Sequence, residues 1–413
     1  MIINKRSLIF LVLFVIYISL VVAYYYAFVD GSNADISKNG NFSRIVIPDI
    51  ILYRELAQLF GSESIDPSLS WRVSSQLALS NINEINPLFL ATRNLLGPSF
   101  LAYFMRDIRF GDLIFNIILI GSTGILFIKI LSVLDIRSNI PLWVLFLNPE
   151  TIYYSQGFLK EIPCLFLTAL FIYLLLKKKY LSCLLPVVLA IAIRYQIAFV
   201  LMVVLCLEMT PLRHKYKYFQ FSLLIFSALL PLLYRTVFQR AVQGYYIYRA
   251  ESGPGSGIGA AIAYFQFNFP FFGYIGIPIR FFQTMIEPFP DVQLFSDGAG
   301  VVNVYYCVLS ASMLMMSYFY ALFFKNFFKI TIRGGDQNWP QHISKIIILI
   351  YIYLLLVGVN TFISHRFMYA VAPLMSFIVF AEKRKDNLLL YIVISMGTIS
   401  IYSLNMAKYL FTV

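Results

Sequence analysis

The chain has 413 residues, 60% of them hydrophobic and only 13% charged, with a mean hydropathy of +0.77 and a formal net charge of +12. Soluble domains carry about 25% charged residues, so this composition leaves too little polar surface for one. The cations stand beside apolar runs, as topology signals do, and this excludes nucleic-acid binding as the reason for the positive charge.

The first apolar run, over 8–29, follows Lys5-Arg6 and reaches Tyr24-Tyr25-Tyr26 near its end. It is too long for the apolar region of a secretory signal and has no small-residue cleavage site, so it reads as a retained helix over 7–28. Residues 29–109 are mixed in polarity, with Asp30, Asp49, Arg54, Glu55, Trp71 and Arg72. They predict a first non-cytoplasmic loop carrying amphipathic helices that lie on the membrane. Apolar runs then predict helices over 110–131, 141–156, 162–177, 180–194, 196–210 and 218–236. A second non-cytoplasmic loop is expected over 237–300, which contains the flexible run Gly253-Pro254-Gly255-Ser256-Gly257. The last helices are expected over 301–324, 344–362, 367–382 and 388–410.

A spanning helix needs about 20 mostly apolar residues, and in lipid only helices or closed barrels satisfy the backbone. The runs lack the alternation of barrel strands. The expected fold is therefore all-α: one polytopic integral membrane domain over 1–413 with about eleven transmembrane helices (range ~10–13). This arrangement places the basic clusters at 5–6, 177–179, 213–217, 325–333 and 383–385 together on the cytoplasmic side. Cys164, Cys183, Cys206 and Cys307 stand isolated in apolar segments and read as buried thiols.

Ionisable residues within membrane segments are costly and therefore candidates for function. Glu150, Lys160, Arg194, Arg240, His365 and Arg366 all fall toward the non-cytoplasmic side, as do Asp49, Glu287 and Asp291. Cations gathered there suit an anionic, phosphorylated ligand, because arginine offers forked donors to phosphate oxygens.

Pro48-Asp49-Ile50-Ile51-Leu52-Tyr53, just after the first helix, resembles the acidic first-loop motif of GT-C-type glycosyltransferases. Asn86-Pro87-Leu88 through Gly97-Pro98, then Arg106 to Asn116, resembles the next element of such proteins. Leu147-Asn148-Pro149-Glu150 with Tyr154-Ser155 and Lys160-Glu161 is similar to a motif of envelope polysaccharide membrane proteins, repeat-unit polymerases included. His365-Arg366-Phe367-Met368-Tyr369 resembles the late helix start of both groups.

The resemblance implies a bacterial inner-membrane enzyme whose active site faces the non-cytoplasmic side. It would move sugar from a polyprenyl-(di)phosphate-linked donor to a glycan or lipid-linked acceptor within the bilayer. Asp49 and Glu150 are then the catalytic carboxylates, one acting as general base. Lys160, Arg194, Arg240, His365 and Arg366 would bind the donor phosphate, and Glu287 and Asp291 would meet the acceptor or sugar. A second acid beside Asp49, common in some members, is absent, so no metal ligand is assigned and a divalent metal is left open. Plainer roles stand beside these. Asp49 can cap a helix, Arg194 can snorkel to the interface, and Lys160 and Glu161 can pair with neighbours on their own helix. An O-antigen or capsule repeat-unit polymerase is the alternative within this chemistry. A transporter or flippase of a lipid-linked or anionic solute is the alternative outside it.

Overall fold

The computed structural model describes residues 5–26, 96–105, 110–210, 304–333, 341–359 and 368–381, together with Ile108, Tyr218, Phe219, Ser222 and Ile225. Every regular element among the described residues is helical. In chain order they are α1 (Lys5–Tyr24), α2 (Leu96–Met105), α3 (Gly111–Val133), α4 (Ile140–Leu147), α5 (Pro149–Tyr154), α6 (Glu161–Leu176), α7 (Leu184–Ile193), α8 (Tyr195–Met209), α9 (Val304–Arg333), α10 (Gln341–Val359) and α11 (Ala372–Ala381). Two of them, α1 and α3, are long and apolar enough to cross a membrane. At 1.5 Å per residue α1 is about 30 Å long, the thickness of a bilayer's hydrocarbon.

The described residues fall into two compact units. The first holds residues up to Met202 and 304–312, and the second holds the rest of α8 and α9 with α10 and α11. In the first unit α1 turns Leu13, Tyr17 and Val21 inward, one residue per turn of helix. Phe10, Phe14 and Tyr17 close around Phe146 of α4, with ring centroids 5.6, 5.9 and 5.8 Å away. Glycine in α3 lets these rings approach. A Cβ on Gly124 would lie 2.6 Å from ring atoms of both Phe10 and Phe146, so a side chain there would require these rings to shift. The opposite side of α1 is equally apolar but exposed, at Leu8, Leu11, Val12, Val15 and Ile16. The same holds on α7, where Leu185, Val188, Leu189 and Ile191 are exposed.

Two helices of this unit end in the same way. Beyond α3, Ile136 N–H donates to Leu131 O and Asp135 N–H to Ser132 O, with Asp135 at φ 52°. Beyond α6, Lys179 N–H donates to Leu174 O and Lys178 N–H to Leu175 O, with Lys178 at φ 57°. These paired bonds satisfy the last helical carbonyls and need a left-handed residue at the same position. Aspartate visits that region readily, whereas lysine does so at a cost.

In the second unit every side chain over 346–354 of α10 is buried, so this helix is enclosed on all sides. Phe327 of α9 stacks on Tyr351 with centroids 4.0 Å apart. Lys345 Nζ meets Glu208 Oε2 at 2.6 Å, and both side chains are buried.

The apolar runs foretell these helices to within a few residues, with four differences. The helix expected over 141–156 is two helices, interrupted at Asn148. Its apolar residues run across the break, which is why hydropathy alone does not see it. The helix expected to end at 324 runs on to Arg333, because Lys325, Asn326 and Lys329 add polarity without stopping a helix. Ten residues of the predicted first loop form α2, which packs on α7 through Gly97, where a Cβ would stand 2.9 Å from Ala192 O. Cys164 and Cys183 are buried thiols as expected, but Cys206 is exposed, because it shares an apolar helix with the exposed Phe199 and Met202. Most of the helix predicted over 218–236, all of that over 388–410, the second loop and the rest of the first lie outside the described residues.

Candidate functional site

Residues 148–161 carry a polar layer through the first unit. Asn148 starts it: its Oδ1 accepts from Glu150 N–H at 2.9 Å, and Pro149, which has no N–H to leave unsatisfied, takes the first position of α5. This cap turns Glu150 inward, where it is completely buried. Tyr154, one turn on, donates to Glu150 Oε1 at 3.2 Å, and Ser312 of α9 donates to Oε2 at 2.8 Å. Both carboxylate oxygens are thus engaged by hydroxyls.

The next residues bind the layer to α1 and α3. Ser155 Oγ donates to Thr151 O at 2.6 Å, so the 2.6 Å contact with Tyr17 must use the tyrosine's proton. Gln156 Nε2 donates to Val21 O at 3.3 Å and Ile152 O at 2.9 Å. Asn116, inside α3, sends its amide to Ser155 O at 3.2 Å and Gly157 O at 2.8 Å. It thereby satisfies two carbonyls that the end of α5 would otherwise leave bare in an apolar interior. Phe115 and Phe158 pack beside it at 5.7 Å, and Ala102 of α2 joins them.

The layer ends in charge. Lys160 occupies the N-cap position of α6 and is partly exposed. Glu161 opens that helix and is completely buried. Its Oε1 lies 3.7 Å from Nη2 of Arg194, which is itself nearly buried. Arg194 is the single extended residue, φ −157° and ψ 98°, between α7 and α8. Its position there is about 15 Å from the start of α7, at 1.5 Å per residue over its ten residues. The contact joins opposite charges in a setting where desolvation makes an uncompensated charge costly.

Three predicted site residues, Glu150, Lys160 and Arg194, fall on this layer. Asp49, Arg240, His365, Arg366, Glu287 and Asp291 lie outside the described residues. Glu161 pairs with an arginine 33 positions later, because α6 and α7 are packed side by side. Asn116, Tyr17 and Ser312 are additions that a single sequence does not expose. Their only outward sign is polarity inside an apolar run. Among the described residues no three histidine, cysteine, aspartate or glutamate side chains come together to hold a metal ion. Comparison with protein-family models, characterised proteins and solved structures finds no match to this chain.

Proposed function

We propose that the chain is a multispanning membrane glycosyltransferase of about eleven helices, using a polyprenyl-(di)phosphate-linked sugar donor. The observation that carries this reading is Arg194. It is a nearly buried guanidinium at a helix break, paired with Glu161, and Lys160 is the residue just before Glu161. Exposed apolar sides on α1 and α7 support the membrane placement, since water would not be left against them. The basic turns are the cytoplasmic end by the positive-inside rule, which puts the polar layer toward the other side.

In this reading Arg194 and Lys160 receive the donor phosphate and stabilise the charge that develops as the glycosidic bond breaks. Glu161 holds Arg194 in position. Glu150, sealed and occupied at both oxygens, acts as a positioning residue that fixes α5 against α9. Asp49 takes the acceptor proton, while Arg240, His365 and Arg366 add to the phosphate site and Glu287 and Asp291 meet the acceptor. The membrane is the bacterial inner membrane, and repeat-unit polymerisation is the same chemistry with a longer donor.

One observation favours transport instead. Two helices are interrupted beside ionisable residues, at Asn148 before Glu150 and at Arg194, and interrupted helices with charges at the break suit a solute path through the bilayer. A single experiment separates the two. Purified protein in lipid vesicles is given a polyprenyl-phosphate-linked sugar and a lipid-linked acceptor. Glycosyl transfer predicts donor consumption and a longer product, whose length distinguishes single addition from polymerisation. Movement of the donor between leaflets without any new glycosidic bond would establish the transport reading and overturn this one.

A further inference from the structure

We propose that the end of the first unit opposite the polar layer is a binding surface for the headgroups of anionic phospholipids. Three segments distant in sequence meet there. Arg6 Nη2 donates to Ile136 O, which fastens the start of α1 to the turn between α3 and α4. Lys129, near the end of α3, lies 5.4 Å over the ring of Tyr173 and so joins that turn to the end of α6. The α6–α7 turn follows immediately and carries Lys177, Lys178 and Lys179, all exposed. Lys5 and Arg137 are exposed on the other two segments. Across residues 5–9, 129–139 and 177–183 there are seven cations and one acid, Asp135.

The left-handed Lys178 makes this more than a loose charged tail. With the bonds from Lys178 and Lys179 back to α6, it fixes where the three lysines stand relative to one another. Immediately beyond them the surface becomes apolar and stays exposed: Leu181 is 83% accessible, and Leu185 on α7 and Leu8, Leu11 and Val12 on α1 follow. A soluble polyanion would satisfy the lysines and leave those side chains in water. A phospholipid with a net negative headgroup satisfies both, its phosphate among the lysines and its acyl chains along α1 and α7. The inference rests on the membrane reading but not on glycosyl transfer.

The test is lipid retention by the full-length purified chain, measured by native mass spectrometry after reconstitution with equal amounts of phosphatidylglycerol and phosphatidylcholine. Bound phosphatidylglycerol should exceed phosphatidylcholine on the order of ten-fold. The excess should fall toward parity in 1 M salt, where charges are screened over about 3 Å. Replacing Lys177, Lys178 and Lys179 with glutamine should abolish it, and replacing all three with arginine should keep it. Equal retention of the two lipids by wild type, or undiminished enrichment in the glutamine variant, overturns the inference. Displacement of phosphatidylglycerol by inorganic polyphosphate would assign the surface to a soluble polyanion instead and also overturn it. Alkaline extraction of the native membranes keeps the two claims apart. A chain that stays with the bilayer but shows no lipid preference defeats only this inference, whereas a chain released by alkali defeats the membrane reading itself.

Discussion

The two ends of the first unit use charge in opposite ways. At one end seven cations stand on helix ends and turns, nearly all exposed, where water and approaching anions can reach them. At the other, Glu150, Glu161 and Arg194 are drawn into the helices and their carboxylates are fully buried. Exposed charges cost little and contribute little to stability. Buried ones are costly to desolvate and survive only with hydroxyls, amides or opposite charges around them. The contrast shows where this molecule tolerates an expense, and that is where function is sought.

The largest effect expected from breaking the contrast is at Arg194. Arg194→Ala leaves Glu161 as a buried carboxylate without its counter-charge and should cost about 3 kcal/mol of stability. Thermal unfolding in detergent checks this. Adding Glu161→Gln to the same chain should recover most of the loss, whereas a merely additive double variant would show that the 3.7 Å pair is not coupled. Asn116→Ala comes next, at about 2 kcal/mol, because the carbonyls of Ser155 and Gly157 both lose a donor in a buried setting. Asn116→Asp should be no better, since a carboxylate cannot donate to them.

Glu150→Gln sharpens the assignment of that carboxylate. The amide cannot accept from both Tyr154 and Ser312, so about 1–2 kcal/mol of stability should be lost, with the transfer rate falling only in proportion to folded protein. A loss of two orders of magnitude in rate at unchanged melting temperature would instead make Glu150 the general base. The smallest effect lies at the basic end. Lys178→Gly relieves a left-handed lysine and should raise stability by about 1 kcal/mol, read as a higher melting temperature. A decrease would mean that the lysine side chain holds the turn.

Much of the helical framework was legible because apolar length is a property of contiguous residues. The residues of α1, α3 and α6 announce themselves by their runs, and the basic turns by their lysines. The Asn148 break was readable only in part: Asn-Pro-Glu is a helix start by its chemistry, but the leucines and tyrosines on either side hide the stop. The polar layer was less legible still. Glu150 meets Ser312 across 162 positions, Tyr17 meets Ser155 across 138, and Asn116 meets Gly157 across 41. No local pattern encodes such pairings, because they arise from which helix packs on which. The pair of Lys345 and Glu208 teaches the same lesson from the second unit. At 2.6 Å it is a closed hydrogen-bonded contact, and nothing in the sequence around either residue marks the other as its partner.

The division of labour between the two ends is tested most directly by donor turnover in one set of proteoliposomes by three proteins: wild type, Arg194→Ala, and the chain with Lys177, Lys178 and Lys179 all replaced by glutamine. Rates are normalised to folded protein. Arg194→Ala should lose at least about 100-fold, the scale of one lost charge-stabilising donor, while the lysine variant should stay within about two-fold, as surface changes do. Equal rates for Arg194→Ala and wild type, or a collapse confined to the lysine variant, would contradict that division and move the working site away from the buried end.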